Sequence, residues 1–179
     1  MNIYLVRHTS VDVPRGICYG QTDVPLKESF PQEADSVKKK LETIFNDFTP
    51  DRVFTSPLSR CTRLANHCGY SNALREPRIL EMNFGEWEMQ DFNKIQDPHL
   101  QVWFEDYLNV RATEGESFQD QYARVVSFFE ELKKENLDNV LVFTHGGVFA
   151  CAKIFSGMIA PVDAFATLEE YGSILHISI

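Results

Sequence analysis

Two histidines in this sequence each end an apolar run that is typical of a buried strand. His8 ends the segment L-V-R-H at 5–8, and His145 ends V-F-T-H at 142–145. Ligands bind at the carboxyl ends of strands in an open α/β sheet, so the two histidines are expected to meet at one edge. Arginine binds phosphate through a planar fork of donors, and a neutral imidazole with one free nitrogen can act as a nucleophile. The pattern predicts a small anion-binding catalytic pocket, and the residues alone leave open which histidine attacks.

Taken alone, however, the pair of Arg7 and His8 equally suits a salt-bridged arginine beside a capping histidine. A second cationic position comes from the segment T-S-P-L-S-R at 55–60. Serine suits a helix N-cap and proline the first helical position, so a helix is predicted to start at Ser56. Arg60 then lies on the inward side of this helix near its N-terminus, where anions are already favoured. Arg63, on the polar side, is predicted to be solvated.

A glycine turn follows the second histidine, at Gly146 and Gly147. Glycine allows a tight turn and a close approach of the backbone to a ligand, and the two amides would point at an anion near the imidazole. The alternative is a strand-to-helix turn that merely requires glycine. This alternative is weaker because a histidine stands at the strand tip.

A carboxyl group at the same sheet edge could protonate a leaving alkoxide, and Glu81 follows a predicted strand closely enough to do so. Glu86 and Glu88 compete for this role, but their spacing beyond Gly85 predicts exposed loop positions. Glu116 precedes a predicted helix and could equally be a charge that favours the helix start.

These positions require a sheet whose strands end at one edge. Strands are predicted at 2–6, 52–55, 78–80, 139–144 and 173–179. Apolar residues at steps of three and four predict helices over 34–48, 58–68 and 118–132, the last opened by Ser117 and Asp120, and a fourth helix follows Gly147. Alternating strands and helices predict a three-layer α/β/α fold with a mainly parallel central sheet and helices on both faces.

Two stretches are less regular. Residues 9–30 are rich in turn-forming residues and indicate an ordered loop. Residues 83–116 form a candidate lid or insert over the site. The alternative for the aromatic residues of this insert is that they fill a secondary core, which is favoured for most of them. They are Trp87, Trp103, Phe104 and Tyr107.

Composition narrows the class of protein. The chain of 179 residues, 44% of them hydrophobic, fits one domain with a sizeable core, and the net charge of −9 argues against broad binding of nucleic acid or anionic membranes. The apolar runs are too short to span a bilayer, and no signal-like stretch is found. The four cysteines are expected to be reduced thiols in a cytoplasmic protein. His99 and His176 have no partner at ligand spacing, so no metal site is indicated.

Six motifs together resemble the histidine phosphatase superfamily, in its phosphoglycerate mutase-like branch. They occur in the family's order and span nearly the whole chain: L-V-R-H at 5–8, Y-G-Q-T-D-V-P-L at 19–26, T-S-P-L-S-R at 55–60, L-E-M-N-F-G-E-W-E at 80–88, G-E-S at 115–117 and T-H-G-G at 144–147. The resemblance implies a phosphoglycerate mutase-like fold and a single histidine phosphatase domain over 1–179. It also implies a phosphatase that needs neither metal nor cofactor.

The resemblance also implies roles for particular residues. His8 would be the nucleophile that becomes phosphohistidine, and Glu81 would give a proton to the leaving group. Arg7, Arg60 and His145 would hold the phosphoryl oxygens. Thr9, Gln21 and Gly146 are expected to contact the substrate. The chain departs from the family pattern at Thr9 and Met89, because glycine is usual at both positions.

The substrate suggested by the resemblance is a small phosphate ester. The segment I-C-Y-G-Q-T-D-V-P-L at 17–26 is similar to that of α-ribazole phosphatases, which remove the 5′-phosphate of α-ribazole phosphate or act on the cobalamin phosphate in cobalamin synthesis. A broad-specificity or sugar-phosphate phosphatase is the alternative. A mutase and a non-catalytic phospho-ligand binder are weaker alternatives. The sequence does not indicate whether the protein is a monomer or an oligomer.

Overall fold

A five-stranded sheet forms the centre of the computed structural model, which describes residues 1–166 and 169–179. The strands are β1 (Asn2–Arg7), β2 (Arg52–Thr55), β3 (Leu74–Arg75), β4 (Asn139–Thr144) and β5 (Ile174–Ser178), in the order β3-β2-β4-β1-β5. The first four strands pair in parallel, and β5 pairs antiparallel with β1 at one edge. The predicted mainly parallel sheet is confirmed.

Helices cover both faces of the sheet because successive strand residues point to opposite sides. Ile3 and Leu5 of β1 belong to one apolar cluster, and Val6 belongs to another. The helices are α1 (Phe30–Ile44), α2 (Ser59–His67), α3 (His99–Glu105), α4 (Phe118–Leu132) and α5 (Gly146–Phe155). Since α1 and α2 supply residues to the Val6 cluster and α4 and α5 to the other, the three-layer α/β/α architecture is confirmed.

The pairing of β1 with β4 sets the edge at which the two histidines lie. Arg7 is opposite Thr144, and the His8 N–H donates to the Thr144 carbonyl at 3.1 Å. The two strands therefore end level with each other, and His8 and His145 leave them side by side. Their ring centroids are 5.3 Å apart in an edge-to-face arrangement. The expectation that the two strand tips meet is confirmed.

The strand predicted at 78–80 is wrong. Pro77–Ile79 form a short 3-10 helix, which is capped by the Glu76 carboxylate accepting from the Arg78 N–H at 2.9 Å. Proline lacks the N–H that a strand ladder requires, and β3 lies earlier, at Leu74–Arg75.

The predicted start of α2 is also wrong, because the helix begins at Ser59 rather than beside Ser56. The Ser59 N–H and hydroxyl both donate to the Asp23 carboxylate, at 2.9 and 2.8 Å, so a residue of the preceding long loop caps this helix. Arg60 nevertheless faces inward and is fully buried, as predicted, and Arg63 is exposed. The capping box of Ser117 and Asp120 at the start of α4 is confirmed.

The irregular segment 83–116 forms a third apolar cluster beside the sheet edge and contains α3, which was not predicted. Trp87 and Trp103 are buried in this cluster and Tyr107 packs against it, which confirms the secondary-core interpretation for these three residues. Phe104 is the exception among the four, because it is 53% exposed. In the part of the chain that the structure describes, no helix has the length and apolar character to cross a membrane.

Candidate active site

His8 is the buried residue directly after β1. Its Nδ1 lies 2.8 Å from the Thr9 carbonyl oxygen. A carbonyl can only accept, so Nδ1 carries the proton and the lone pair of Nε2 points elsewhere. Burial, and then the positive charges of Arg60 and Arg7, lower the pKa of His8 to about 3. His8 is therefore a neutral imidazole with a free Nε2, which is the form that a nucleophilic histidine requires.

His145 is engaged at both ring nitrogens. Its Nδ1 accepts from Arg60 Nε at 3.3 Å, so Nε2 carries the proton and donates to Ser56 Oγ at 2.7 Å. Burial, followed by the charge of Arg60, lowers the pKa of His145 well below its ordinary value. The geometry thus distinguishes the two histidines that the sequence left equivalent, because only His8 keeps a nitrogen without a protein partner in the described residues.

Arg60 gives its donors to the protein. Its Nε donates to His145 Nδ1, its Nη1 donates to the Thr22 carbonyl at 2.9 Å, and its Nη2 donates to the Gly20 carbonyl at 2.5 Å. These bonds tie the loop before α1 to the start of α2. A guanidinium has five N–H groups, so two are not used by these bonds. The charge of Arg60 lies beside His8 and acts on it even though the side chain is fully buried.

Arg7 is the more available of the two cations. Its Nη1 donates to the Glu169 carbonyl, and its guanidinium carbon lies 4.4 Å from the ring centre of Tyr171. Its buried Nε has no partner among the described residues. A Cβ added at Gly146 would lie 3.2 Å from the guanidinium carbon, so glycine leaves room for this close approach. Arg7 and the first turn of α5 therefore form one donor surface.

Glu81 faces the same space from the other side. Its Oε1 accepts from the Met82 N–H at 3.0 Å and from Gln121 Nε2 at 3.1 Å, and its Oε2 accepts from the Gly147 N–H at 3.3 Å. A side chain at Gly147 would collide with the Glu81 carboxyl group, so this glycine is required as well. The backbone carbonyl of Glu81 accepts from Gln21 Nε2 at 3.0 Å.

The competing carboxylates have structural contacts instead. Glu86 is exposed, as predicted, but the exposed position predicted for Glu88 is wrong. Glu88 accepts from the N–H groups of Gln21 and Thr22 at 2.8 and 2.6 Å. Burial alone would raise the pKa of Glu88, and the hydrogen bonds from Thr22 and Gln21 outweigh it and lower the pKa. Glu88 therefore ties the loop of residues 9–30 to the insert.

Glu116 also differs from a simple charge at a helix start. Its carboxylate pairs with Arg124 Nε at 2.9 Å and accepts from the Asn83 N–H at 2.9 Å. Arg124 in turn donates to the backbone carbonyls of Leu80 and Glu81 at 2.8 and 2.9 Å. The pair of Glu116 and Arg124 thus fixes the chain around Glu81 without entering the site.

A cavity of about 450 Å³ lies at this edge. Arg7, His8, Glu81, Gly146 and Gly147 line it, so the structure brings together five of the residues singled out by the sequence. Arg60 and His145 lie behind His8 and do not line the cavity. Thr9 supports His8 through its carbonyl, and Gln21 supports Glu81. The rest of the lining is Ile17, Cys18, Tyr19, Met82, Phe84, Phe92, Trp103, Phe104, Phe165 and Tyr171.

Tyr19 and Tyr171 were missed by sequence reasoning. Their hydroxyl groups are 2.7 Å apart, and the Tyr171 ring is 5.5 Å from that of His8 between centroids. Tyr19 lies inside the motif at 19–26 and could have been noticed there, whereas Tyr171 carries no sequence signal. In the described residues, no group of three or more His, Cys, Asp or Glu is placed to hold a metal ion.

Residues 3–161 match the sequence profile of the histidine phosphatase superfamily, branch 1. This match covers most of the chain, so the chain belongs to this superfamily, and it is a phosphatase. The chain is 29% identical to the adenosylcobalamin/alpha-ribazole phosphatase of Salmonella typhimurium over 158 residues, which cover 84% of this chain and 76% of that protein.

Two further similarities bear on the fold and the substrate. The α-ribazole phosphatase structure from Shigella flexneri matches with a TM-score of 0.84 at 26% identity, over 100% of this chain and 91% of that one. Phosphoserine phosphatase 1 of Hydrogenobacter thermophilus is 26% identical over 149 residues, which cover 79% of this chain and 69% of that protein. The predicted resemblance to the superfamily and to α-ribazole phosphatases is confirmed.

Proposed function

We propose that the chain is a phosphomonoesterase in which His8 Nε2 attacks the phosphorus of its substrate. The observation that carries this proposal is the neutral His8, whose Nδ1 donates to the Thr9 carbonyl while Nε2 stays without a protein partner in the described residues. Arg7 and the first turn of α5 lie beside it and suit a phosphate, which brings about two negative charges.

The first step forms the bond between His8 Nε2 and phosphorus and breaks the ester P–O bond. Glu81, as a carboxylic acid, gives its proton to the leaving oxygen, so the alcohol departs neutral. In the second step, the Glu81 carboxylate takes a proton from water as the water oxygen attacks phosphorus. The N–P bond then breaks, inorganic phosphate is released, and His8 returns to its neutral form.

Arg7 and Arg60 give this scheme its electrostatic support. Arg7 has an unpaired Nε within the described residues and holds the phosphoryl oxygens directly. Arg60 contributes its charge from behind His8, and His145 fixes the position of Arg60 by accepting from its Nε at 3.3 Å. Gly146 remains a substrate contact in this proposal, whereas Thr9 and Gln21 support His8 and Glu81.

The proposed substrate is α-ribazole 5′-phosphate or the corresponding adenosylcobalamin phosphate, in the assembly of the cobalamin nucleotide loop. α-Ribazole is a nucleoside with a flat benzimidazole base, and the cavity next to the reactive residues is lined by aromatic rings such as Phe92, Trp103 and Phe104. The similarity to the Salmonella enzyme supports the same choice. The insert at 83–116 then serves as the substrate-selecting part of a single domain over 1–179.

A substitution of His8 tests the mechanism. His8→Ala is expected to lose at least about a thousandfold in kcat, since the nucleophile itself is removed. The matched control is His67→Ala, because His67 pairs with Asp35 at 2.7 Å on the surface and lies outside the cavity. Acid-quenched mass spectrometry during turnover should detect a phosphoryl group on His8. Activity retained in His8→Ala would contradict the mechanism.

A panel of substrates tests the leaving group. Wild-type kcat/KM is expected to be highest for α-ribazole 5′-phosphate among phosphate esters that include phosphoserine and sugar phosphates. The second candidate is a phosphatase of small polar esters, which the similarity to phosphoserine phosphatase 1 favours. A higher kcat/KM for phosphoserine or a sugar phosphate than for α-ribazole phosphate would select this candidate. The cytoplasmic location stays a prediction of the sequence.

A further inference from the structure

Gln121 is a fully buried amide on α4 that touches the Glu81 carboxyl group. Its Nε2 donates to Glu81 Oε1 at 3.1 Å, but its Oε1 has no donor among the described residues. A buried polar atom without a partner is costly, so a native structure usually has a reason to keep one. The question is what this amide oxygen does during the reaction.

Glu81 has to exist in two protonation states during turnover in the proposed function. As a carboxylate it only accepts hydrogen bonds, and as a carboxylic acid it has an O–H that needs an acceptor. In this structure the three groups that contact its oxygens all donate: the Met82 N–H, the Gly147 N–H and Gln121 Nε2. Backbone N–H groups cannot accept, so these contacts suit the carboxylate alone.

Gln121 is the one of these three groups that can change from donor to acceptor. A half-turn of its amide about the last side-chain bond exchanges Nε2 and Oε1. Both atoms are equally far, at 2.8 Å, from the position that a Cβ on Gly147 would take. The exchange therefore keeps the shape that packs against the glycine turn, and it presents Oε1 to Glu81. It gives up a 3.5 Å contact of Nε2 with the Leu80 carbonyl, which still accepts from Arg124 at 2.8 Å.

We propose that Gln121 is a positioning residue that serves both protonation states of Glu81. Its Nε2 holds the carboxylate after proton transfer. Before the ester binds, its Oε1 accepts from the O–H of the carboxylic acid, and this O–H turns to the leaving oxygen when the ester is bound. The inference rests on the proposed role of Glu81 as proton donor and acceptor. The other charged or titratable groups around Glu81 are Arg124 of α4, Arg7 and His8 across the cavity, Cys61 of α2 and Cys151 of α5.

The test compares leaving groups that do and do not need a proton. Gln121→Met keeps the length of the side chain and removes both polar atoms. We expect kcat/KM to fall about tenfold for ribose 5-phosphate, whose alkoxide needs the proton of Glu81, and less than about twofold for p-nitrophenyl phosphate, whose phenolate leaves without one. The control is Gln119→Met, the same change at an exposed position of α4, which should alter neither value.

Because kcat/KM reports only the steps up to transfer onto His8, it is independent of the later hydrolysis. Gln121→Ala cannot overpack the site and is used if Gln121→Met does not fold. It should show the same split, a larger loss of kcat/KM for ribose 5-phosphate than for p-nitrophenyl phosphate. Equal losses for both substrates, or no loss for either, would overturn the inference. Glu81→Gln distinguishes a failure of the proposed role of Glu81 from a failure of the role of Gln121 alone. If it shows no split, the proposed role of Glu81 fails, and if it alone shows one, only the role of Gln121 fails.

Discussion

The reactive end of the cavity is held by buried hydrogen bonds, whereas the aromatic end is held by ring packing. At the reactive end, His8 is fixed through the Thr9 carbonyl, and the Glu81 carboxyl group is fixed by three donors. At the aromatic end, Trp103 packs edge-on against Phe104 at 5.3 Å between centroids, and Phe104 is more than half exposed.

This difference separates chemistry from selectivity. A hydrogen bond has a narrow range of distance and angle, so residues held in this way keep the geometry that a reaction needs. Ring contacts in an irregular segment tolerate replacement by other apolar groups, so the leaving group can change without altering the reactive end. Substitutions should therefore affect kcat at one end of the cavity and KM at the other.

Among the changes that test this division of the cavity, the largest effect is expected for Arg7→Lys at the reactive end. Lysine keeps the charge but lacks the planar fork and the Nε–H, so it cannot follow the phosphoryl oxygens as arginine does. We expect kcat/KM to fall about a hundredfold, close to 3 kcal/mol of barrier, for every phosphate ester tested. Steady-state kinetics with Arg15→Lys, at an exposed loop position, provides the control. A loss confined to KM of aromatic substrates would contradict the division of the cavity.

The next effect concerns stability below neutral pH. The pKa of His8 is about 3 in the folded state and about 6.5 in an unfolded chain, so the unfolded state binds more protons between these values. Stability is therefore lost as the pH falls from about 6.5 towards 3. Between pH 7.5 and 5, wild type should lose about 2 kcal/mol more than His8→Gln in urea unfolding. Equal losses in both proteins would show that the pKa of His8 is the same in the folded and unfolded states, which would contradict the lowered value.

A smaller effect is expected at the aromatic end. Phe104→Ala removes an exposed ring from the cavity lining, and stacking of a base on an aromatic side chain contributes about 1–3 kcal/mol. KM for α-ribazole 5′-phosphate should rise about tenfold, while kcat stays within about twofold of wild type. Val102→Ala, at a half-exposed position of α3 outside the lining, is the matched control. A rise in KM for ribose 5-phosphate of the same size would argue against a site for the base.

The same contrast explains what the sequence could predict. Arg7 ends β1, and His8, His145 and the two glycines come directly after strands whose apolar pattern is local. Their meeting at one edge therefore follows from the parallel pairing of β1 and β4. The contacts of Glu88 with Gln21 and Thr22 join segments far apart in the chain, and no local pattern indicates them.

The capping of α2 by Asp23 also joins distant segments, and Ser56, which does not cap the helix, hydrogen-bonds to His145. The placement of Tyr171 over Arg7 also depends on a distant segment. Which of the two histidines has a free nitrogen depends on such long-range partners, so it required the structure.

The smallest effect is expected for the stability of the insert, at Met89. Met89 has a φ of 63°, in the left-handed region where a side chain is disfavoured, and it is 48% exposed. Its N–H donates to the Cys18 carbonyl at 2.7 Å, which holds the backbone in this conformation. Met89→Gly should relieve the strain, partly offset by the greater freedom of glycine in the unfolded chain, and raise the free energy of unfolding by about 0.5–1 kcal/mol.

This change corresponds to about 2 °C in Tm for a chain of this size, measured by thermal unfolding. Met89→Ala keeps the Cβ and the strain, so it should not gain stability. Because Met89 lies outside the cavity, kcat for α-ribazole 5′-phosphate should stay at the wild-type value in Met89→Gly. A gain in stability with a loss of kcat would instead mean that the strained turn itself sets the position of the insert, and the two ends of the cavity would then be coupled.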